Sequence, residues 1–131
     1  MNTFDKTITV NGEETELHFR LTLSGQQKLK KKYNETALAT LFNAIDDAEI
    51  LSAVMTEALS YKGNENVIKD GAEVYDLLVD SGMAGVEDFA DFAMGIGVAS
   101  GLVSRKQADA MIKRAQGIFE EAIEEADEKN R

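Results

Sequence analysis

The stretch "TITVNGEETELHF", residues 7–19, decides the fold. Asn11-Gly12 is the strongest short hairpin signal, because both residues accept the positive φ that a tight turn requires. Side-chain parity agrees. Pairing Val10 with Glu13 sets Ile8 against Thr15, Lys6 against Leu17 and Phe4 against Phe19; a four-residue loop would instead pair Ile8 with Leu17 and Phe4 with Leu21. Either register puts Phe4, Ile8, Val10, Leu17, Phe19 and Leu21 on one face. Thr7, Thr9, Glu14, Glu16, His18 and Arg20 take the other. An isolated hairpin is marginal in water. One face of this one is built to be covered, and nothing after it reads as strand.

Helical patterning takes over from there. Ser24-Gly25-Gln26-Gln27 has capping-box form and opens a helix in which Leu29 and Tyr33 share a face, with Asn34 as its stop. Leu38, Leu41, Phe42 and Ile45 mark a short second helix. Asp46-Asp47-Ala48-Glu49 is another capping box, followed at helical spacing by Ile50, Leu51, Val54, Met55, Ala58 and Leu59, with Gly63 as the expected stop. Residues 60–69 read as the longest loop. Asp70-Gly71-Ala72-Glu73 opens a fourth helix that ends near Gly82. Residues 86–100 are apolar almost all round, which implies a buried helix stopped by Gly101. Ser104-Arg105-Lys106-Gln107 is the last capping box, and its helix should run to about Glu128, with residues 129–131 frayed. The expected fold is mainly α with a small β part. A two-stranded antiparallel hairpin over residues 4–22 packs on a bundle of about five to six helices over residues 24–128, in a single domain.

Composition narrows the function. Cysteine is absent, which removes disulfides, thiolate metal sites and cysteine nucleophiles. No run of about 18 apolar residues and no positive-then-apolar start is present, so no membrane partner is expected. The formal net charge is −10, and it is uneven: residues 21–62 hold five bases and five acids, residues 63–131 seven bases and fifteen acids. A duplex-binding face needs clustered Lys and Arg, so nucleic acid is not an expected partner. Acidity of this kind keeps a helical protein soluble, and it suits a basic protein partner.

The residues that invite a chemical reading do not assemble into a reaction centre. Gly95-Ile96-Gly97 lies at the end of an apolar helical run, not after a strand as a dinucleotide loop requires, so small residues for close packing is the better reading. His18, the only histidine, falls on the polar face of the hairpin and is expected in solvent, with no carboxylate at metal-ligand spacing along the chain. Asp80-Ser81-Gly82 is similar to the acceptor of small acidic carrier proteins. Those carriers attach their arm at a serine followed by leucine at a helix start, whereas here glycine follows and Ser81 reads as a C-cap. Lys28, Lys30, Lys31 and Lys32 read as the solvated face of a helix. No catalytic residue, metal site or cofactor is expected. The last helix is more informative. Ala108, Met111, Ala115, Ile118 and Ala122 form an apolar stripe, widened by Ile112, Phe119 and Ile123. It ends in Glu120, Glu121, Glu124, Glu125, Asp127 and Glu128, which oppose the helix macrodipole. Either that end frays into solvent or a basic partner offsets it.

Four segments in order, "FDKTITVNGEETELHFRLT", "KLKKKYNETAL", "DAEILSAVMTEALSYKG" and "GAEVYDLLVDSG", resemble the tail assembly chaperones of long-tailed bacteriophages and prophages, especially those of Gram-positive hosts. The likeness lies in order and spacing: a hairpin with a Val-Asn-Gly turn, a helix ending near Lys-Tyr, a helix rich in Leu and Ala, and a Glu-Val-Tyr-Asp-Leu-Leu helix followed by glycine. It covers roughly the first hundred residues.

The resemblance implies a non-enzymatic protein in the cytoplasm of the bacterial host, absent from the mature virion. Such a protein binds the tape measure protein, a long helical chain, and keeps it soluble until the tail tube assembles around it. The helical surface around Leu51, Met55, Leu77, Met94 and Met111 is the expected binding groove, because methionine suits a surface that accepts varied sequence. A homo-oligomer is expected through the hairpin's free edge at Thr7, Thr9, Glu14, Glu16 and His18. The family also implies a frameshifted longer form, and Glu128-Lys129-Asn130 is compatible with the codons GAA-AAA-AAC, which contain a slippery heptamer; an AAG codon at Lys129 would remove it. Two other readings stay open from the residues alone, an acidic helical regulatory protein of bacteria and a carrier-type enzyme component.

Overall fold

Asn11 and Gly12 adopt φ of 53° and 83°, the left-handed pair that closes a two-residue hairpin turn. The computed structural model describes residues 2–61 and 69–129, Lys129 by its backbone only. Strands β1 (Phe4–Val10) and β2 (Glu13–Phe19) lead into α1 (Leu23–Tyr33), α2 (Ala37–Asn43), a 3-10 turn (Ala44–Asp46), α3 (Ala48–Leu59), α4 (Gly71–Asp80), α5 (Gly85–Ala99) and α6 (Arg105–Lys129). The architecture is mainly α with a small β part, as expected. β1 and β2 pair antiparallel in the two-residue-turn register, with Val10 opposite Glu13, Ile8 opposite Thr15 and Phe4 opposite Phe19.

The hairpin closes the helical core. Ile8, Leu17 and Phe19 on its inner face are buried, as is Leu21 just beyond it, and each such burial is worth about 1.5–3 kcal/mol. Phe92 of α5 receives the edges of Phe4 and Phe19, with ring centroids 5.3 and 4.9 Å away. The strand exit is tied to two helix ends. The Arg20 backbone N–H donates to the Ala58 carbonyl at 3.2 Å, and the Leu21 N–H donates to Ser100 Oγ at 2.8 Å. The Arg20 guanidinium donates to the Ala99 carbonyl at 3.2 Å.

The caps show where local pattern and tertiary anchoring differ. α1 starts earlier than the Ser24 box implies. Thr22 is its N-cap and accepts from the Gly25 N–H, because the anchored Arg20 and Leu21 deliver the chain to the helix at that point. Asn34 ends α1 with φ of 56°. Asp47, not Asp46, caps α3 and accepts from the N–H groups of Glu49 and Ile50; Asp46 is taken by the 3-10 turn. α3 ends at Leu59 with Ser60 as C-cap, before Gly63, which lies outside the described residues along with most of the expected 60–69 loop. Ser81 is the C-cap of α4. α3 and α4 touch closely at Gly71, whose N–H donates to Thr56 Oγ1 at 2.9 Å. α5 is the interior helix, buried at Ala90 and without a break from Phe92 to Gly97.

Ser104 and Gln107 form the reciprocal capping box expected of them. The Ser104 N–H donates to Gln107 Oε1 at 2.9 Å, and the Gln107 N–H donates to Ser104 Oγ at 3.1 Å. α6 packs on the core through Ala108 and Ala115, both fully buried. From residue 116 to residue 128 no side chain is buried, a length of about 20 Å at ~1.5 Å per residue. The expected frayed tail begins inside this helix at Lys129; residues 130–131 lie outside the described residues.

Candidate functional site

The expected groove is corrected by burial. Leu51, Met55 and Met94 are no more than 1% exposed and belong to the interior. Leu77 and Met111 are half-buried at its margin. The physical reason is that helical spacing groups residues on a face without saying whether another element covers that face. Here α4, α1 and β2 pack against α3, which carries Leu51 and Met55, and Met94 lies in the interior helix α5.

The open apolar surface lies instead across α2. Leu41 points into the core, while Leu38 and Phe42 are only partly buried. On one side of α2, Leu38, Ala39 and Phe42 form a shallow groove with Met111 and Arg114 of α6. On the other, Leu38 continues the groove to Leu102, Lys30 and Leu23, the last 70% exposed. Met111 is the one expected partner residue that reaches this surface. The remaining signal was present in α2, whose sequence ALATLF is apolar on more faces than one core contact can use. The groove has apolar walls, with Lys30 and Arg114 at its margin. A groove with such walls can take the apolar face of a helix.

On the hairpin, Thr7, Thr9, Glu14 and Glu16 are exposed and His18 is half-buried, on the outer face expected for them. His18 is not simply in solvent. Its Nδ1 lies 2.7 Å from Asp5 Oδ1 and its Nε2 lies 3.5 Å from Glu16 Oε1. One ligand atom from each of the three residues falls within 4.8 Å of the others. The expectation concerns spacing along the chain, and the ribbon brings the carboxylate to His18 by another route. Asp5 is opposite His18 in the register, a cross-strand neighbour that spacing along the chain does not reveal. In a hairpin with a two-residue turn this is a non-hydrogen-bonded pair, the closer of the two kinds. The carboxyl of Asp5 titrates below its ordinary value. The causes are the hydrogen bond from Thr3 Oγ1 at 2.6 Å and then that from His18, with a smaller charge effect of His18, against a slight opposing effect of burial. An imidazole and two carboxylates are ligands a divalent cation accepts, and here they fix the ring's orientation on an exposed ribbon.

The small residues of α5 have packing roles. A Cβ on Gly95 would meet the Phe4 ring, and one on Gly97 would meet Val103 and Leu41 at 3.2 and 3.4 Å. Among the described residues no helix is long and apolar enough to cross a membrane. No family model, no curated protein and no solved structure matches the chain.

Proposed function

We propose that this chain is a non-enzymatic tail assembly chaperone of a long-tailed bacteriophage or prophage. It binds the tape measure protein in the cytoplasm of the bacterial host, keeps it soluble during tail assembly and is left out of the mature virion. The reading starts from the order of segments that resembles that family. The observation that carries it is the groove across α2, where exposed Leu23 and half-buried Leu38, Phe42 and Met111 line an apolar surface in an otherwise acidic, charged protein. An apolar face of a long helical client fits there, and burying it removes from water the surface through which such a client aggregates. The client is a very long helical protein encoded by a neighbouring gene.

The test is co-purification. A fragment of the neighbouring gene's long helical product, co-expressed with this chain, should be retained with it through an affinity step. Leu23→Glu/Leu38→Glu should reduce the retained fragment at least tenfold while the chain keeps its helical circular dichroism. Equal retention by wild type and by the doubly charged variant would remove the groove from the account. No retention by either would remove the function.

A further inference from the structure

The end of α6 is itself an amphipathic helix without a partner among the described residues. Ile118 and Ile123 are 46% and 62% exposed. With Ala122, and with Phe119 that still packs at the margin of the core, they continue the line of Ala108 and Ala115 toward the exposed end of the helix. Glu120, Glu121, Glu124 and Glu125 flank that stripe. The groove across α2 has the opposite character, apolar at Leu23, Leu38 and Phe42 and rimmed by Lys30 and Arg114. Lys31 and Lys32 lie exposed on the same last turn of α1. Among the described residues no ion pair engages Lys30, Lys31, Lys32, Arg114 or the acids at the end of α6. One molecule thus presents an acid-flanked apolar helix and a base-rimmed apolar groove.

We propose that the exposed end of α6 in one copy occupies the α2 groove of a second copy. Shape permits it, because every side chain of α6 from residue 120 to residue 128 is exposed, a length of about 14 Å at ~1.5 Å per residue. Charge favours it, because acids at a helix C-terminus sit against the macrodipole and cations brought beside them offset that cost. The two surfaces cannot meet within one copy. Met111 and Arg114 of α6 form one wall of the groove, and the same helix then runs on past it. The contact is therefore heterologous, head to tail, and adds further copies instead of closing as a two-fold dimer. It leaves the hairpin's outer edge unused. The inference rests on the chain's own surfaces and stands whether or not the client is a tape measure protein.

Sedimentation velocity tests it with the full chain. Wild type should form a concentration-dependent series of species that shortens at high salt. A tail variant, Ile118→Asp/Ile123→Asp, should be monomeric, and so should a groove variant, Leu23→Glu/Leu38→Glu. Mixed in equal amounts, the two variants have one good tail and one good groove between them and should form a 1:1 dimer that grows no further. A second pair, Lys30→Glu and Glu121→Lys, changes only exposed residues and guards against unfolding. Each should weaken assembly at least threefold, and the mixture should recover it. Wild type that stays monomeric at all concentrations overturns the proposal. So does a variant mixture that fails to dimerise while wild type assembles, and so does assembly lost on Thr9→Pro but kept by the tail and groove variants. The second copy and the client compete for the same groove, and the tail variant Ile118→Asp/Ile123→Asp, whose groove is intact, should retain the client at least as well as wild type, so the two readings fall separately.

Discussion

The ring of Phe4 occupies the space that a side chain on Gly95 would need. The first strand is thus keyed into the central helix α5 at a notch only glycine leaves open. This contact explains how a lone two-stranded ribbon persists on a helical protein. Gly95→Ala gains about 1 kcal/mol of helix propensity but forces an overpacked contact that costs about 1–3 kcal/mol. The expected net effect is destabilisation, read as a lower urea midpoint with unchanged slope. Gly117→Ala is the control, because nothing lies within 4 Å of the added methyl. It should raise stability by up to about 1 kcal/mol. Equal signs for the two substitutions would mean the Phe4 contact is looser than described.

Among the described residues, the hydroxyl of Tyr33 is buried without a hydrogen-bond partner. A desolvated hydroxyl costs about 1–3 kcal/mol. Tyr33→Phe should therefore leave stability unchanged or raise it by about 1 kcal/mol in a denaturation series. A loss larger than that would show that the hydroxyl is bonded in solution.

Asp5 provides a pH signature for the outer face of the hairpin. Its folded carboxyl titrates below the ordinary value, chiefly through Thr3 and next through His18. The sign follows from linkage. The stabilisation from Asp5 is present above the unfolded carboxyl's pKa and is lost as pH falls through the depressed folded value. Carboxyl-detected NMR titration should find Asp5 shifted upward in Thr3→Ala and also in His18→Ala. An Asp5 titration unchanged by both substitutions would contradict the geometry. The effect on stability should be small, since the pair is solvent-exposed and screened.

Local signals carried much of the fold. Asn11-Gly12 and strand parity specify the hairpin and its inner face, with two registers left open of which the structure takes the two-residue-turn one through seven residue pairs, and Ser104 with Gln107 specify the start of α6. Both depend on residues within a few positions of each other. The start of α1 was not legible, because it is set by Arg20 and Leu21 reaching Ala58 and Ser100. The same holds for the candidate site. Met55 and Met94 have the spacing of a groove and lie in the core, because cover by another element is a tertiary fact. Asp5 and His18 are thirteen residues apart and meet only across the ribbon. The open face of α2 was within reach of the sequence, in the surplus of apolar residues around Leu38 and Phe42.

The central claim is that this chain keeps a tape measure protein soluble, and solubility under co-expression measures it most directly. A tape measure fragment from the neighbouring gene should pellet on high-speed centrifugation when expressed alone and should move largely to the supernatant when this chain is co-expressed. With Leu23→Glu/Leu38→Glu it should return to the pellet. A fragment equally insoluble with and without the wild-type chain would contradict the account.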